Sequence, residues 1–524
     1  MKQQLPEFPH LSHLKKQAKD LLRAFQQRDP AAMERFRESL PSAQGLSPEN
    51  AAAQPFRLHD AQSALAREYG FASWTELKTY VEWKSAGQKT TAAERERWLN
   101  LVYEGSSRQR TLAVRLLREN PGLPAGDPYL ACAVGGLAAL ELQTQRDPAW
   151  VNRPGGPLNM PPLIAVTHSR LAVHPTFSAA MERAARYLLD HGADPNPKWI
   201  HKDYPDSPLS ALYGAAGKNH HVGMTKLLLD RGATPNDNES LYHSVEAPDD
   251  TCTRLLLAAN ATVSGTNAYG RVLDFDKLEL LELLLAHDPS PRKDLNERRR
   301  LHHAILRGRS AAHIQVLLDA GADPGVANKD GVTAAHYALL FGREDLAALL
   351  MPAGRQESAS ATDAFAVACA GGHLEAAKSM LAKDPSLVSQ LSEVQLRLLP
   401  QLAEVGNIAG VRTMLETGWP IETHAGWNAS ALNLAVFHGN VEMTRLLMSY
   451  GANWQEPHGF NGNVMGTLSW ASNADDIDRE NGGGDYLGCA KVLIEYGMPI
   501  PPERFEYSSE VEEYFQSLRE PRKQ

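Results

Sequence analysis

This sequence predicts an all-α architecture of stacked helix pairs, and three observations support that prediction. A tight turn recurs after apolar helical runs: LLDHGADPN around Gly192, LLDRGATPN around Gly232, VLLDAGADPG around Gly321 and LLMSYGANW around Gly451. The recurrence is periodic. Aligning on the turn brings Asn120, Asp147, Gly192, Gly232, Asn260, Asp288, Gly321, Gly354, Asp384, Gly418, Gly451 and Gly497 into register, with intervals averaging roughly 34 residues. Within a unit the apolar residues keep helical spacing, as Met443, Leu446 and Leu447 do in VEMTRLLMSYGAN (441–453). At 524 residues the chain is too long for a single compact core, whereas a repeat array lets each unit bury its apolar stripe against its neighbours.

The first 88 residues lack the turn and read as a separate helical region. Ser12 is placed to cap a helix through Leu14, Ala18, Leu21, Leu22 and Phe25, with Lys15, Lys16 and Lys19 on its wet side. Asp29-Pro30 opens a second helix through Met33 and Phe36. Residues 41–56, rich in Pro, Ala, Ser and Gln, read as a loop. A third helix (58–69) ends at Gly70, and Ser73 with Glu76 forms a capping box for a fourth.

From 89 to 501 the chain reads as 11 to 12 repeat units, and 502–524 as a helix that caps the far end of the array. In each unit glycine ends the second helix because it accepts a left-handed backbone, and Asn or Asp at the same register can substitute. First helices such as GVTAAHYALLFG (331–342), WNASALNLAVFHGN (427–440), SPLSALYGAAG (207–217) and RRLHHAILRG (299–308) carry small residues where helices approach closely. Thr333, His336 and Ala338, and again Leu301, His302 and Ala304, resemble the Thr-Pro-Leu-His-x-Ala pattern of ankyrin repeats; Gly372, His373 and Glu375 match its later Gly-His-x-Glu element. The resemblance covers roughly residues 90 to 501 through many weak copies, and units 237–262 and 385–410 lack the Pro-Leu element. It implies an ankyrin-repeat solenoid with short hairpin-like loops, in which His221, His302, His336 and His373 fall where such units place a histidine against loop backbone. The pieces LKKQAKDLLRAF and AREYGFASWTELK resemble the N-terminal helical region of a group of bacterial ankyrin-repeat proteins, a resemblance that brings no activity with it.

Composition narrows the function classes. Hydrophobic residues at 43% and charged residues at 22% describe a folded, soluble chain. The net charge of −9 is uneven, with 12 acidic against 6 basic side chains in 470–524. Nothing at the N-terminus reads as a signal peptide, and no apolar run is long enough to span a membrane, so the expected compartment is the cytoplasm. Of four cysteines, Cys132 and Cys369 share one register in first helices, and Cys252 and Cys489 another in second helices. That equivalence predicts buried packing residues rather than disulfides or a metal site.

Chemistry-bearing patterns are sparse. No His-Glu-x-x-His, phosphate loop or dinucleotide glycine pattern occurs, so no catalytic residue, cofactor or metal is expected. Two long units hold insertions, 168–183 and 472–485, and insertions in solenoids map to loops. Asp475, Asp476 and Asp478, with Glu480 and Asp485, make the second one acidic without following a calcium-loop register. A basic stretch at 292–309 gathers Arg298, Arg299, Arg300, Arg307 and Arg309. These residues and the three aspartates are the candidate partner contacts.

The expected function is non-catalytic protein–protein recognition by a monomer, with an unidentified partner protein on the concave face of the solenoid. An enzyme sited in the N-terminal region or the 168–183 insertion is one alternative. Nucleic-acid binding through 292–309 is another, weakened by the lack of interleaved aromatics.

Overall fold

A computed structural model describes residues 4–6, 9–40, 43, 45–54, 56–86, 91–105, 107–351, 360–473, 483–502, 505 and 507–519. They form short helices, joined by two small antiparallel ribbons: Lys198–His201 with Tyr204–Ser210, and His424–Ala425 with Ala429–Ser430. None of these helices is long and apolar enough to cross a membrane. The chain divides into two compact units, residues 1–130 together with 500–524, and residues 131–499. These limits differ from the expected 88/89 and 501/502. The helices Thr91–Tyr103 and Ser107–Glu119 group with the N-terminal region, and so does the segment expected to cap the far end.

In the first unit, the helix Leu11–Gln26 buries Leu14, Ala18, Leu21 and Phe25 at helical spacing. Its N-cap is His10, without a side-chain cap bond, so Ser12 sits inside the first turn rather than capping it. Asp29 caps Pro30–Ser39 by accepting the Ala32 N–H at 2.8 Å. The stretch expected to be all loop contains one short helix, Pro48–Ala52, capped by Ser47. Phe25, Phe36 and Phe56 pack with ring centroids 4.6–5.3 Å apart. Arg35 makes a paired contact with the buried Glu68, at 2.8 and 2.7 Å. The C-terminal helix Ser509–Arg519 packs on Leu58–Glu68, where Ser63 Oγ donates to Glu513 Oε1 at 3.1 Å. Val511 and Phe515 on that helix are both 0% exposed. An amphipathic helix goes where its apolar stripe is covered, and here that is the N-terminal unit.

In the second unit helix pairs follow one another, ending with Val464–Asn473 and Tyr486–Glu495. The turn after each second helix is left-handed where the sequence supplies Gly or Asn: φ is 90° at Gly192, 92° at Gly321 and 63° at Asn260. The expectation fails at Asn120 in the first unit, which is not left-handed, and at Asp147, Asp288 and Asp384, where φ is −149°, −85° and −138°. Each of these aspartates precedes a proline, whose ring crowds the preceding residue out of helical and toward extended backbone. Gly354 lies outside the described residues.

Two devices stitch consecutive units. Along the loops, an asparagine reaches forward to the next turn: Asn152 Oδ1 accepts the Asp194 N–H, Asn196 Oδ1 that of Thr234, Asn236 Oδ1 that of Thr262 and Asn296 Oδ1 that of Asp323, each at 2.7 Å. Along the second helices, Thr225 Oγ1 lies 3.6 Å from Cys252 Sγ and Thr444 Oγ1 3.5 Å from Cys489 Sγ. Thr225 and Thr444 hold one register in VGMTKLLLD and VEMTRLLMS. All four cysteines are buried, and none is in a disulfide. Burial pushes the Cys369 and Cys489 thiols up to about 11, which keeps them protonated at neutral pH.

Candidate functional site

Folding separates the basic stretch into arginines that brace the array and arginines that face solvent. The Arg300 side chain is 3% exposed and reaches Asp294 Oδ1 and Asn267 Oδ1, each at 3.2 Å. Asp294 is equally buried and also accepts the Gly265 N–H at 3.1 Å. A Cβ at Gly270 would stand 2.5 Å from Arg300 Nη1, so this close passage needs glycine. Arg309, 4% exposed, pairs with Asp276 at 2.7 Å. Arg307 donates to Asp274 Oδ1 at 2.8 Å and to Glu404 Oε1 at 3.0 Å. The expectation that all five arginines meet a partner is therefore corrected for Arg300 and Arg309. A guanidinium this buried cannot turn outward without giving up the packing and the carboxylate that hold it. The guanidinium of Arg307 is likewise engaged internally. Arg298 and Arg299 remain exposed; Arg298 also meets Asp294 Oδ2 at 3.2 Å and donates to Gly265 O at 3.0 Å, and Arg299 is left-handed (φ 51°) and donates to Ala327 O at 3.0 Å.

Arg298 and Arg299 stand at the edge of a groove of about 560 Å³. The helices Arg300–Leu306, Ala334–Leu340 and Leu398–Glu404, the loop 328–332 and the short helix Glu393–Leu396 line it. Its apolar part comes from Leu306, Val332, Leu340, Val394 and Leu398, and its rim carries Lys329 and Arg397 besides the two arginines. Asp330 is the acidic residue in the lining. Lys329, Tyr337 and Gln401 each bring a side-chain donor with no hydrogen-bond partner among the described residues. Burial, then the charges of Asp330 and Glu404, raise the Tyr337 hydroxyl, so it stays a donor.

A charged seam links first helices and reaches the groove lining at His303 and Arg307. His243 Nδ1 meets Glu246 Oε1 at 2.9 Å, Arg271 Nε meets the same oxygen at 2.7 Å, and Arg271 Nη1 lies 3.7 Å from Asp274 Oδ2. Asp274 accepts His303 Nε2 and Arg307 Nε, both at 2.8 Å, and Arg307 carries the seam on to Glu404. Burial alone would raise the Asp274 carboxyl, yet the His303 hydrogen bond and the charges of Arg307 and Arg271 hold it below the usual range. Burial would lower His243, but its hydrogen bonds to Glu239 and Glu246 outweigh that and hold it up to about 9.

The other sequence candidates fall elsewhere. Asp475, Asp476, Asp478 and Glu480 lie outside the described residues, while Asp485 caps Tyr486–Glu495 by accepting the Gly488 N–H at 2.6 Å. The 168–183 insertion begins inside the core. His168 and Ser169 are 0% exposed, His168 Nε2 lies 2.8 Å from Ser210 O, and Ser169 Oγ donates to Ala133 O at 2.8 Å. Burial drives the His168 imidazole down to about 3, leaving it neutral. Of the expected loop-bonding histidines, His302 does bond loop backbone, at 2.9 Å to Val332 O. His221 instead caps its own helix through the Met224 N–H at 3.1 Å, and His373 meets Glu344 at 2.8 Å. Among the described residues no group of three or more His, Cys, Asp or Glu could hold a metal ion.

Residues 271–360 match the family model for ankyrin repeats, as three copies. This stretch is built of ankyrin repeats. Among solved structures the chain is similar to the human ASB11 ankyrin repeat domain, at 22% identity and a TM-score of 0.21, over 45% of this chain and 99% of that one. It is also similar to the ankyrin repeat domain of Bcl-3, a member of the IkappaB protein family, at 18% identity and a TM-score of 0.21, over 45% of this chain and 94% of that one. No curated protein matches it. The groove joins ankyrin units inside the matched stretch to Val394, Arg397, Leu398 and Gln401 beyond it. Sequence reasoning missed Lys329, Tyr337, Arg397 and Gln401. The turn Asn328-Lys329-Asp330-Gly331 was a legible signal for the first, but nothing local joins 397–401 to it.

Proposed function

We propose that this chain is a non-catalytic, monomeric scaffold whose ankyrin array holds a partner protein on its first-helix and loop face, the face that is concave in a helical solenoid. The observation that supports this most is the groove. An exposed basic rim over apolar side chains, with free donors, sits on a frame whose own charges are internally paired. Ankyrin repeats are in general protein-binding modules, and fold alone does not choose among partners. A rigid frame with unsatisfied groups on one face is what a recognition surface requires.

The test is site-specific photo-crosslinking in the source cell. A benzophenone side chain replaces Lys329 on the groove rim in one protein and the exposed second-helix Lys226 in another. Discrete protein adducts from position 329 but not 226 are expected. Equal adduct patterns from both positions would overturn the assignment of the binding face.

A further inference from the structure

Resting on that reading, we propose that the groove takes an acidic linear segment of the partner protein, one that seats an apolar side chain between carboxylates. Charge is the first ground. Arg298, Arg299, Lys329 and Arg397 ring the opening, in a protein whose net charge is −9; Arg298 meets Asp294 at 3.2 Å and Arg397 meets Glu393 at 3.5 Å, so Arg299 and Lys329 carry the rim's positive excess over Asp330. Such a rim attracts carboxylates and repels basic segments. Shape is the second. Leu340 and Leu398 are 3% and 2% exposed, and with the half-buried Val332 and Val394 they give apolar walls. A volume of about 560 Å³ lies within the roughly 300–1,000 Å³ of pockets that enclose small ligands, enough for a large side chain and its neighbours.

Hydrogen-bond chemistry is the third ground. The Lys329 ammonium, the Tyr337 hydroxyl and the Gln401 amide offer donors without internal partners among the described residues, which suits an acceptor-rich peptide. The wall is also pre-organised. Asn328 Oδ1 accepts the N–H groups of Asp330 and Val332 at 2.9 and 3.0 Å, and His302 holds Val332 O. A loop already fixed loses little entropy on binding. The same lining disfavours a nucleic acid. Its one aromatic residue besides the histidines, Tyr337, packs its ring against His302 and Phe341, with centroids 5.4 and 4.8 Å away, rather than standing free as a stacking platform.

The experiment pans a random twelve-residue peptide display library on the full chain. Two groove variants run beside it, Lys329→Glu with Arg397→Glu, and Gln401→Trp to fill the cavity. Both use exposed or half-buried positions, and circular dichroism melts confirm that each folds. Enrichment of peptides with Asp or Glu flanking Leu, Ile, Phe or Met is expected. Their affinity should fall about tenfold or more in each variant. Groove-dependent binders without acidic residues would overturn the acidic occupant while leaving the groove as the binding face. Binders indifferent to both variants, or none at all, would overturn the face as well. A poly(U) RNA that displaces the selected peptide and binds more tightly than it does would reassign the groove to nucleic acid.

Discussion

The two helices of each repeat meet their neighbours through different chemistry. In their buried part second helices meet through apolar side chains and a threonine–cysteine contact, Thr225 with Cys252 and Thr444 with Cys489, among residues such as Met224, Leu228, Met443 and Leu447 at 0% exposure, and their ion pairs, such as Arg445 with Glu495, stay at the surface. First helices meet through the seam from Glu246 by Arg271, Asp274 and Arg307 to Glu404. The apolar side is non-directional, tolerates conservative exchange and carries stability by area. The charged side is directional. Asp274 serves His303, Arg307 and Arg271 at once, so one deletion loosens several groups together. The first helices bury apolar side chains too, such as Leu301, Ala304 and Ile305, so the seam adds directional contacts to their packing, and the groove lies on that side.

The sharpest way to break this comparison is Asp274→Ala. It should cost about 2–3 kcal/mol in urea denaturation, because the part-buried Arg271, Arg307 and His303 lose their shared acceptor, with Glu246 and Glu404 still serving the two arginines. A loss under about 1 kcal/mol would show that the seam is incidental. Next come two neighbours. Arg300→Ala should cost about 2 kcal/mol by leaving the buried Asp294 with only Arg298 and the Gly265 N–H, whereas Arg299→Ala should stay within about 0.5 kcal/mol. Equal losses would erase the division of the basic stretch into brace and rim.

The seam should also make the array pH-sensitive. His243 is held above its ordinary value of 6.5, at about 9, so its contribution is complete below 6.5 and disappears as pH rises through about 9. Asp274 and Glu246 are held low, so theirs is present at neutral pH and lost as pH falls below the usual carboxylate range. Thermal melts between pH 6 and about 10 should show the alkaline decline, and His243→Gln should flatten it. An unchanged slope in that variant would assign the decline to other groups. The smallest effect belongs to the apolar side: Thr444→Val or Cys489→Ala should cost about 1 kcal/mol or less. A cost above about 3 kcal/mol would mean that the threonine–cysteine contact fixes geometry too.

What was legible in the sequence was what local chemistry decides. The period, the left-handed Gly192, Gly232 and Gly321, the paired cysteine registers and the Asp29 cap all follow from residues a few positions apart. The Asp-Pro turns were legible too, had the proline outweighed the aspartate. Long-range partners were not. Which of three consecutive arginines is buried depends on where the helix begins, and the left-handed Arg299 sets that point. The groove needs Arg397 and Gln401 from a unit that lacks the Pro-Leu element, with no local signal pointing to 298.

Residues 507–519 belong to the same compact unit as residues 1–130, with the whole array between them in the chain. A ribosome works from one end, so the two parts of that unit are made before and after the array. While hundreds of repeat residues are being synthesised, the surface that Val511 and Phe515 complete has no occupant from its own chain. A premature stop near residue 500 therefore injures the opposite end of the polypeptide. A fragment ending there would carry every repeat and still leave its N-terminal unit open to chaperones and proteases.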